Sequence, residues 1–426
     1  MPGAALTTIT ALLLAYALFG RKTLVWNLSA PMLAMVAGFV AFSVAGEAAL
    51  DLGSVHLLAE VTLVLVLFHD AATVRLNGLV RDYGVPLRLL AIGFPLALLA
   101  AFGTAWALFP GLGLLGAGLL AAAITPTDAG LGAPTVLNPV VPIRVRRALN
   151  VESGLNDGLA TPIVLLCLAG LSAAGESDSS SAITMGVVPV ALALALALIV
   201  GVGAAWLLDR STRHSWSTSE GRQIGVLMVP LLVLGLSEVL GANAFIAAFV
   251  AGIAFGASST AMQDDDEAES GFLEMTSDVL GFGVWFLGGG VVLLAFDIGV
   301  RWQWVVMAVL ALTALRMVPV WLCLLGKGFR APTVLFLGWF GPRGLASLIF
   351  ALLIVEDLGE SGTVVADVVG TLAVTVVLSV IAHGISAAPL SRRYGEWVHR
   401  VHPPIEQEPA SAPPRIRGGS IMSKRG

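Results

Sequence analysis

The sequence predicts an all-α polytopic membrane protein with about thirteen transmembrane helices. Of its 426 residues, 57% are hydrophobic and 12% are charged, and that charged share is about half of the roughly 25% usual in soluble domains. The apolar stretches run about 16 to 27 residues, which suits membrane-spanning helices and not the roughly ten-residue alternating strands of a membrane barrel. A soluble core cannot use this much apolar sequence, whereas a bilayer can.

Hydropathy places the predicted spans along the chain as follows. They cover residues 4–19, 30–46, 55–73, 85–109, 112–138, 148–173, 183–208, 222–239, 242–256, 272–296, 302–326, 331–355 and 362–388. The first span is followed, not preceded, by basic residues, which is the wrong order for a cleaved signal peptide. We therefore expect one transmembrane domain, residues 1–390, and a polar, disordered cytoplasmic tail, residues 391–426.

Loop charge predicts the orientation of these spans. With the N-terminus outside, nineteen of the 23 Lys and Arg residues fall in inner loops or in the tail, and Arg301 alone falls in an outer loop. This asymmetry follows the positive-inside rule. An acidic run, residues 264–269, also lies on the inner side, but acidic residues weigh little in that rule. We predict a multi-pass plasma-membrane protein, with a bacterial inner membrane as the first expectation.

Cysteine usage excludes two classes of chemistry. Cys167 and Cys323 both lie in apolar runs, so they provide neither a disulfide framework nor a zinc-binding spacing. We expect no resident cofactor and no nucleic-acid partner.

Two predicted spans are interrupted by polar stretches that contain proline. Span five holds Thr-Pro-Thr-Asp at 125–128, and span twelve holds Gly-Pro-Arg-Gly at 341–344. The two lie seven spans apart, and an odd offset inverts topology. We therefore expect spans 1–6 and 8–13 to be inverted six-helix repeats joined by span 7. Paired broken segments are the best sequence pointer to the binding site of a transporter.

Charges inside the spans are informative because each costs about 2.5–3.5 kcal/mol in mid-bilayer on insertion scales. They are Glu60, Asp70, Asp128, Glu152, Asp157, Glu238, Glu274, Asp278, Arg316, Arg343 and Asp367. Asp128, Glu152 and Asp157 cluster around the hairpin of spans five and six. Proline removes a backbone donor and frees a carbonyl one turn back, so the break supplies backbone oxygens beside carboxylates. Hard cations prefer such ligands.

The three residues on span six divide between two faces. Glu152 and Asn156 share a face at i,i+4, whereas Asp157 lies about 140° round the helix from Glu152. The two carboxylates therefore serve different partners. Arg316 in span eleven is the natural partner for a buried glutamate, since a guanidinium keeps its charge.

Each residue also has a purely structural interpretation, and these stay open. Asp157 is then a helix cap, Asp128 a turn residue beside Pro126, and Glu152 a packing ion pair. For Glu60, a place on the ion path and a structural role are equally favoured. His383 is expected to be a hydrogen-bonded histidine and not a proton relay.

Several segments together resemble the sodium/proton antiporters of the NhaP type, relatives of the animal sodium/proton exchangers. These segments are 124–128 (Ile-Thr-Pro-Thr-Asp), 151–158 (Val-Glu-Ser-Gly-Leu-Asn-Asp-Gly), 241–252, 341–344, 315–316 and 67–70. The resemblance covers the chain apart from the tail, and its most specific part is Glu-Ser-x-x-Asn-Asp-Gly.

The resemblance implies a dimeric thirteen-helix fold whose core domain moves against a dimerisation domain. The residues it assigns to ion and proton binding are Asp157, Asp128, Thr127, Asn156 and Ser153, with the two carboxylates as cation ligands. It also implies a Glu152–Arg316 ion pair and a stabilising role for Arg343 in the second broken helix. The neutral Asn156 goes with electroneutral exchange. One position departs from the family, which usually has proline where this chain has Ala129.

The hypothesis is competitive binding of a monovalent cation, with sodium as first candidate, and a proton at Asp157. Burial penalises the ionised carboxylate, so either ion can neutralise it. A potassium/proton antiporter, a proton-coupled solute transporter and a channel are alternatives. A remote alternative is an intramembrane aspartyl protease with Asp128 and Asp157 as its dyad, although neither residue has the Gly-x-Gly-Asp context expected there. The favoured interpretation is a transporter and not an enzyme.

Overall fold

The computed structural model describes residues 2–25, 29–45, 52–74, 84–136, 138–173, 179–263, 267–359 and 362–406. Within these ranges every regular element is helical, and the helices form thirteen successive spans. They are α1 (Pro2–Val25), α2 (Ala30–Ala45), α3 (Leu52–Ala72), α4 (Val85–Leu108), α5a (Gly113–Ile124), α5b (Ala129–Val136), α6 (Ile143–Ala173), α7 (Ser179–Arg213), α8 (Ser219–Leu240), α9 (Ala244–Ser258), α10 (Glu267–Ile298), α11a (Trp302–Leu312), α11b (Ala314–Leu324), α12a (Ala331–Trp339), α12b (Leu345–Leu358) and α13 (Thr363–Val401).

The predicted fold class is confirmed, because each predicted span corresponds to one helix or to one pair of half-helices. Within the described residues, eight segments are long and apolar enough to cross a membrane by themselves. Shorter apolar helices include α2, α9 and the first half of span five. Each half-helix is short because a polar break divides its span, and not because polar residues flank the span.

Close helix packing depends on small residues. Gly38 on α2 lies against the backbone of Phe286 on α10, and Gly289 on α10 lies against the backbone of Phe39. A Cβ atom at either glycine would collide with that backbone. Gly252 on α9 approaches the backbone of α3 in the same way. Helices in a bilayer associate through such close backbone contacts, because the hydrophobic effect does not drive them together there.

Both predicted breaks are present, and two further irregularities accompany them. Span five is non-helical at 125–128, and span twelve at 340–344. In addition, α4 contains a π-helical turn, Leu89–Gly93, and span eleven is interrupted at Thr313, whose φ is −120° and ψ −96°. Neither of them was predicted from the sequence. Pro95, which lacks a backbone N–H, lies two residues after the π-helical turn, whereas neither proline nor glycine lies beside Thr313.

The last helix extends beyond the predicted end of the membrane domain at residue 390. It continues to Val401, and the ring of Tyr394 stacks on Phe336 of α12a with centroids 4.3 Å apart. Beyond the helix, the buried carboxylate of Glu406 accepts a hydrogen bond from Thr333 Oγ1 at 2.7 Å. These contacts fasten residues 391–406 to α12a, so the boundary at 390 lies inside an ordered helix.

Two predictions fall on residues outside the described ranges. The remainder of the predicted tail, residues 407–426, is one of them. The other is the start of the acidic run, residues 264–266, after which α10 begins at Glu267.

Candidate functional site

The breaks of spans five and twelve meet at Asp128. Its backbone N–H donates to Pro342 O at 2.8 Å, and its Oδ2 accepts the amide of Leu345 at 2.6 Å. Its Oδ1 accepts the amides of Gly130 at 2.7 Å and Leu131 at 3.1 Å. One carboxylate therefore caps the first turns of both α5b and α12b, where unpaired amides and the helix dipole favour a negative charge.

The crossing has room for this carboxylate because residue 344 has no side chain. A Cβ atom on Gly344 would collide with Asp128. One turn into α12b, the hydroxyl of Ser347 donates to Ala123 O at the end of α5a, at 2.8 Å. The two broken spans are thus joined on both sides of the crossing.

Thr127 connects the break of span five to α6. Its N–H donates to Asn156 Oδ1 at 3.3 Å, and its Oγ1 accepts from Asn156 Nδ2 at 2.8 Å. The same Oγ1 lies 2.8 Å from Ser153 Oγ. All three side chains are buried. The amide of Asn156 matches the threonine because it offers an acceptor and a donor together.

Asp157 follows Asn156 on α6 and is buried, with 7% of its surface exposed. Its neighbour Gly158 lies against the ring of Phe249 on α9, which a Cβ atom would strike. One turn earlier, Gly154 packs against Asp70 on α3. Asp157 therefore lies in the protein interior, beside the packed boundary of α6 with α3 and α9 and next to the residue that bonds the break.

Glu152 and Arg316 form a buried bidentate ion pair. Arg316 Nη2 donates to Glu152 Oε2 at 2.8 Å, and Nη1 contacts Oε1. Only 1% of Glu152 and 5% of Arg316 are exposed. The guanidinium also lies against Gly341, where a Cβ atom would approach Nε to 2.5 Å. The pair joins α6 to α11b and to the break of span twelve.

Arg343 stabilises two interruptions at once. Its Nη1 donates to Gly341 O at 2.7 Å within its own break, and its Nη2 donates to Ala311 O at 3.3 Å. Helix ends leave carbonyls without helical partners, and the interruption at Thr313 creates such an end on α11a. The irregularity of span eleven thus has a partner in Arg343, which is 2% exposed.

Sequence reasoning missed a polar row on α13. Ser379 Oγ accepts the amide of Arg343 at 2.7 Å, His383 Nε2 lies 2.9 Å from Trp339 O, and Ser386 Oγ accepts from the indole N–H of Trp339 at 2.9 Å. The signal was available as a Ser-x₃-His-x₂-Ser pattern, since this spacing puts all three residues on one helix face. The row faces the break of span twelve.

Asp70 lies in the last turn of α3 and close to the site. Its side chain is 12% exposed and pairs with His69 at 3.1 Å, and it packs against Gly154 one turn before Asp157.

Glu60 lies away from the crossing. It is 3.4 Å from His56 Nε2, and the other ring nitrogen of His56 contacts Glu356 near the end of α12b. Glu356 follows Leu345 by eleven residues, which is about 16 Å along a helix. The structure therefore separates this cluster from Asp128 by most of the length of α12b.

The bonds of Asp128 do not suit one half of an aspartyl protease dyad. Among the residues that the structure describes, no three His, Cys, Asp or Glu side chains lie close enough together to hold a metal ion. Both oxygens of Asp128 accept backbone amides, whereas an aspartyl dyad needs two carboxyl groups that share a proton. Hydroxyl, carbonyl and carboxylate oxygens instead surround a junction of helix ends.

Comparison with known proteins gives a consistent result. The family model described as "Sodium/hydrogen exchanger, transmembrane" matches residues 8–393. A Na(+)/H(+) antiporter of Schizosaccharomyces pombe is 26% identical over 314 residues, which cover 68% of this chain and 67% of that protein. A probable Na(+)/H(+) antiporter of the same yeast is 26% identical over 325 residues, which are 72% of this chain but 42% of that longer protein.

A solved structure shares the fold. The sodium proton antiporter MjNhaP1 from Methanocaldococcus jannaschii, at pH 8, superposes with a TM-score of 0.70 over 93% of this chain and 100% of that one, at 19% sequence identity. At that identity the likeness concerns the fold.

Proposed function

The chain belongs to the sodium/hydrogen exchanger family, and on that premise we propose that it exchanges a monovalent cation for a proton at Asp157. The observation that carries the proposal is a carboxylate 7% exposed within a spanning helix, next to the residue that bonds the broken span five. Burial disfavours an ionised carboxylate unless a positive charge accompanies it. A proton and a metal ion can each supply that charge, so they compete.

The transported cation would be held by oxygens of mixed kind. The carboxylate of Asp157, the hydroxyls of Thr127 and Ser153 and the carbonyls of the break are the candidates, since hard cations take oxygen ligands. Asp128 is suited to a structural and electrostatic role. Its three amide bonds fix the crossing, and the negative charge they stabilise adds to the field that attracts a cation.

One-for-one exchange follows from the number of carboxylates that can change their partner. Asp128 is engaged by backbone amides of two half-helices, and Glu152 by the guanidinium of Arg316. Both partners are permanent, because neither an amide nor a guanidinium loses its proton. Asp157 then carries one cation in one direction and one proton in the other, and the cycle moves no net charge.

Alternating access would come from motion of the helices that bear the crossing. We propose that α4 to α6 and α11 to α13 shift as one body. The contacts that join them are Arg88 to Cys323 O (α4 to α11), Leu345 to Asp128 (α12 to α5), Arg316 to Glu152 (α11 to α6) and Arg343 to Ser379 (span twelve to α13). The remaining helices would form the scaffold and the contact of a homodimer. If the barrier can be crossed only when Asp157 is neutralised, the exchange occurs without leak.

Orientation and location are part of the same proposal. The basic residues of the loops support an outer N-terminus and a cytoplasmic C-terminus in a plasma membrane. Light scattering of the purified protein in detergent and labelling of single cysteines from either side of the membrane test the dimer and the orientation.

The experiment that tests the function is a cation jump on proteoliposomes loaded with a pH-sensitive dye. Sodium, lithium and potassium chloride are added in turn, with the membrane potential clamped and unclamped. We expect added sodium to enter the vesicles and to drive protons out of them. Clamping the membrane potential should leave the rate unchanged. Cation and proton fluxes of the same sign would indicate a symporter, and no proton flux with any cation would refute antiport. A preference for potassium would select the main alternative.

A further inference from the structure

Two residues of α13 hold the two ends of the break in span twelve. Trp339 is the last residue of α12a, and its carbonyl lies 2.9 Å from His383 Nε2. Arg343 is next to the start of α12b, and its amide donates to Ser379 Oγ at 2.7 Å. Ser379 and His383 are one helical turn apart. The rigid spacing of α13 therefore fixes the distance across the break.

The bond from His383 to Trp339 defines where the ring must carry a proton. A carbonyl oxygen only accepts, so this contact is a hydrogen bond when Nε2 bears hydrogen. Nδ1 lies 2.9 Å from Ser379 O and 3.3 Å from Ser379 Oγ. A protonated Nδ1 donates to that carbonyl, and an unprotonated Nδ1 accepts from the serine hydroxyl. In both of these states Nε2 is the donor of the bond to Trp339.

The surroundings of the ring keep it in this position. His383 is 2% exposed, and its ring lies 5.3 Å from that of Trp339 and 6.4 Å from that of Phe340, between centroids. The charged groups that act on it are the guanidinium groups of Arg343 and Arg316. Water has little access to replace the bond if the histidine is lost.

We propose that His383 is a positioning residue for cation exchange, acting through its Nε2–H bond to Trp339. The inference rests on the proposed function. Trp339 and Arg343 lie six and two residues before Leu345, whose amide donates to Asp128. The Trp339 carbonyl also accepts the amide of Gly341 within the break, so the His383 bond is what ties this carbonyl to α13. Without that bond α12a moves relative to α12b, and the crossing beside Asp157 loses its fixed geometry.

Three substitutions test the role of Nε2 separately from the size of the ring. In His383→Gln the amide nitrogen occupies the place of Nε2, in His383→Asn it occupies the place of Nδ1, and His383→Met fills the space with no donor. We expect His383→Gln to keep an apparent KM for sodium within about twofold of the wild type. His383→Asn and His383→Met should raise it roughly tenfold, the effect of one hydrogen bond, with a maximal rate changed by less than about threefold.

A second measurement does not depend on transport. Hydrogen–deuterium exchange of the peptide that spans residues 339–346 should be faster in His383→Asn than in the wild type, and unchanged in His383→Gln. Equal behaviour of the Asn and Gln variants in both measurements, or a Met variant like the wild type, would overturn the proposal. Absence of sodium-driven proton flux in the wild type would refute the proposed function instead, and the exchange data would still decide the role of His383.

Discussion

Asp128 accepts the amide of Leu345 at 2.6 Å, so that one carboxylate caps two half-helices far apart in the sequence. Its other oxygen caps α5b through Gly130 and Leu131. A carboxylate at a helix N-terminus stabilises the unpaired amides and the helix dipole. Here two such ends share a single charge, and the crossing depends on it.

Replacing that charge should loosen the crossing. In Asp128→Asn an NH₂ group replaces one carboxylate oxygen. It faces a backbone N–H, and two donors cannot form a hydrogen bond with each other. We expect a loss of about 2 kcal/mol of stability, the cost of an unsatisfied buried group, with a lower thermal midpoint in detergent and at least tenfold slower exchange. Asp209→Asn is the matched control, because Asp209 is a buried aspartate that accepts the amide of Thr260 elsewhere. Asp209→Asn should lose stability but keep its exchange rate, and equally slow exchange in both variants would contradict this assignment.

The Glu152–Arg316 pair should contribute to stability and not to ion binding. Glu152→Met leaves a buried guanidinium uncompensated and Arg316→Met leaves a buried carboxylate uncompensated, each of which costs about 3–5 kcal/mol. The double variant Glu152→Met with Arg316→Met removes both charges and should recover most of that loss. Thermal unfolding of the two single variants and the double variant measures the coupling. Simple additivity of the single effects would show that the two side chains do not interact as the structure has them.

The hydroxyl of Thr127 should matter more than that of its neighbour in the same break. Thr127→Val removes an oxygen that bonds both Ser153 and Asn156. We expect the apparent KM for sodium to rise roughly tenfold, since one or two buried hydrogen bonds are lost. Thr125→Val is the control, because Thr125 Oγ1 donates within its own helix to Ala121 O. Initial rates of sodium-driven proton flux compare the two, and a larger effect at Thr125 would be unexpected.

Glu60 should influence the approach of cations without taking part in their exchange. Its partner His56 also contacts Glu356, which lies about 16 Å along α12b from the crossing. Glu60→Gln is expected to raise the apparent KM by about twofold at low ionic strength and by less at high salt, because salt screens distant charges. The maximal rate should not change. Loss of exchange at saturating sodium would place Glu60 in the transport cycle itself.

Hydropathy predicted the spans because a bilayer requires about twenty apolar residues for each helix. The breaks at 125–128 and 341–344 were predictable from proline beside polar residues. The interruption at Thr313 was not, since its flanks are apolar and its stabilising donor, Arg343, comes from another span. A contact between residues 32 positions apart leaves no local signal.

Some features of the site could likewise be predicted from the sequence, and others could not. Pairing of Glu152 with Arg316 could be inferred, because a buried guanidinium must find an anion. The spacing of α6 also indicated that Glu152 and Asp157 serve different partners. The sequence could not show that Asp128 spans two helix ends, or that His383 faces Trp339. Both depend on how the broken helices cross.

Asp157 is the centre of the account, and Asp157→Asn in proteoliposomes tests it most directly. The substitution keeps the size of the side chain and removes the group that a proton or a cation neutralises. A thermal midpoint near that of the wild type establishes that the variant is folded, and Asp209→Asn controls for loss of a buried charge. We predict no sodium-dependent proton flux from Asp157→Asn while Asp209→Asn continues to exchange. Sodium-dependent proton flux through folded Asp157→Asn at a rate near that of the wild type would contradict the mechanism.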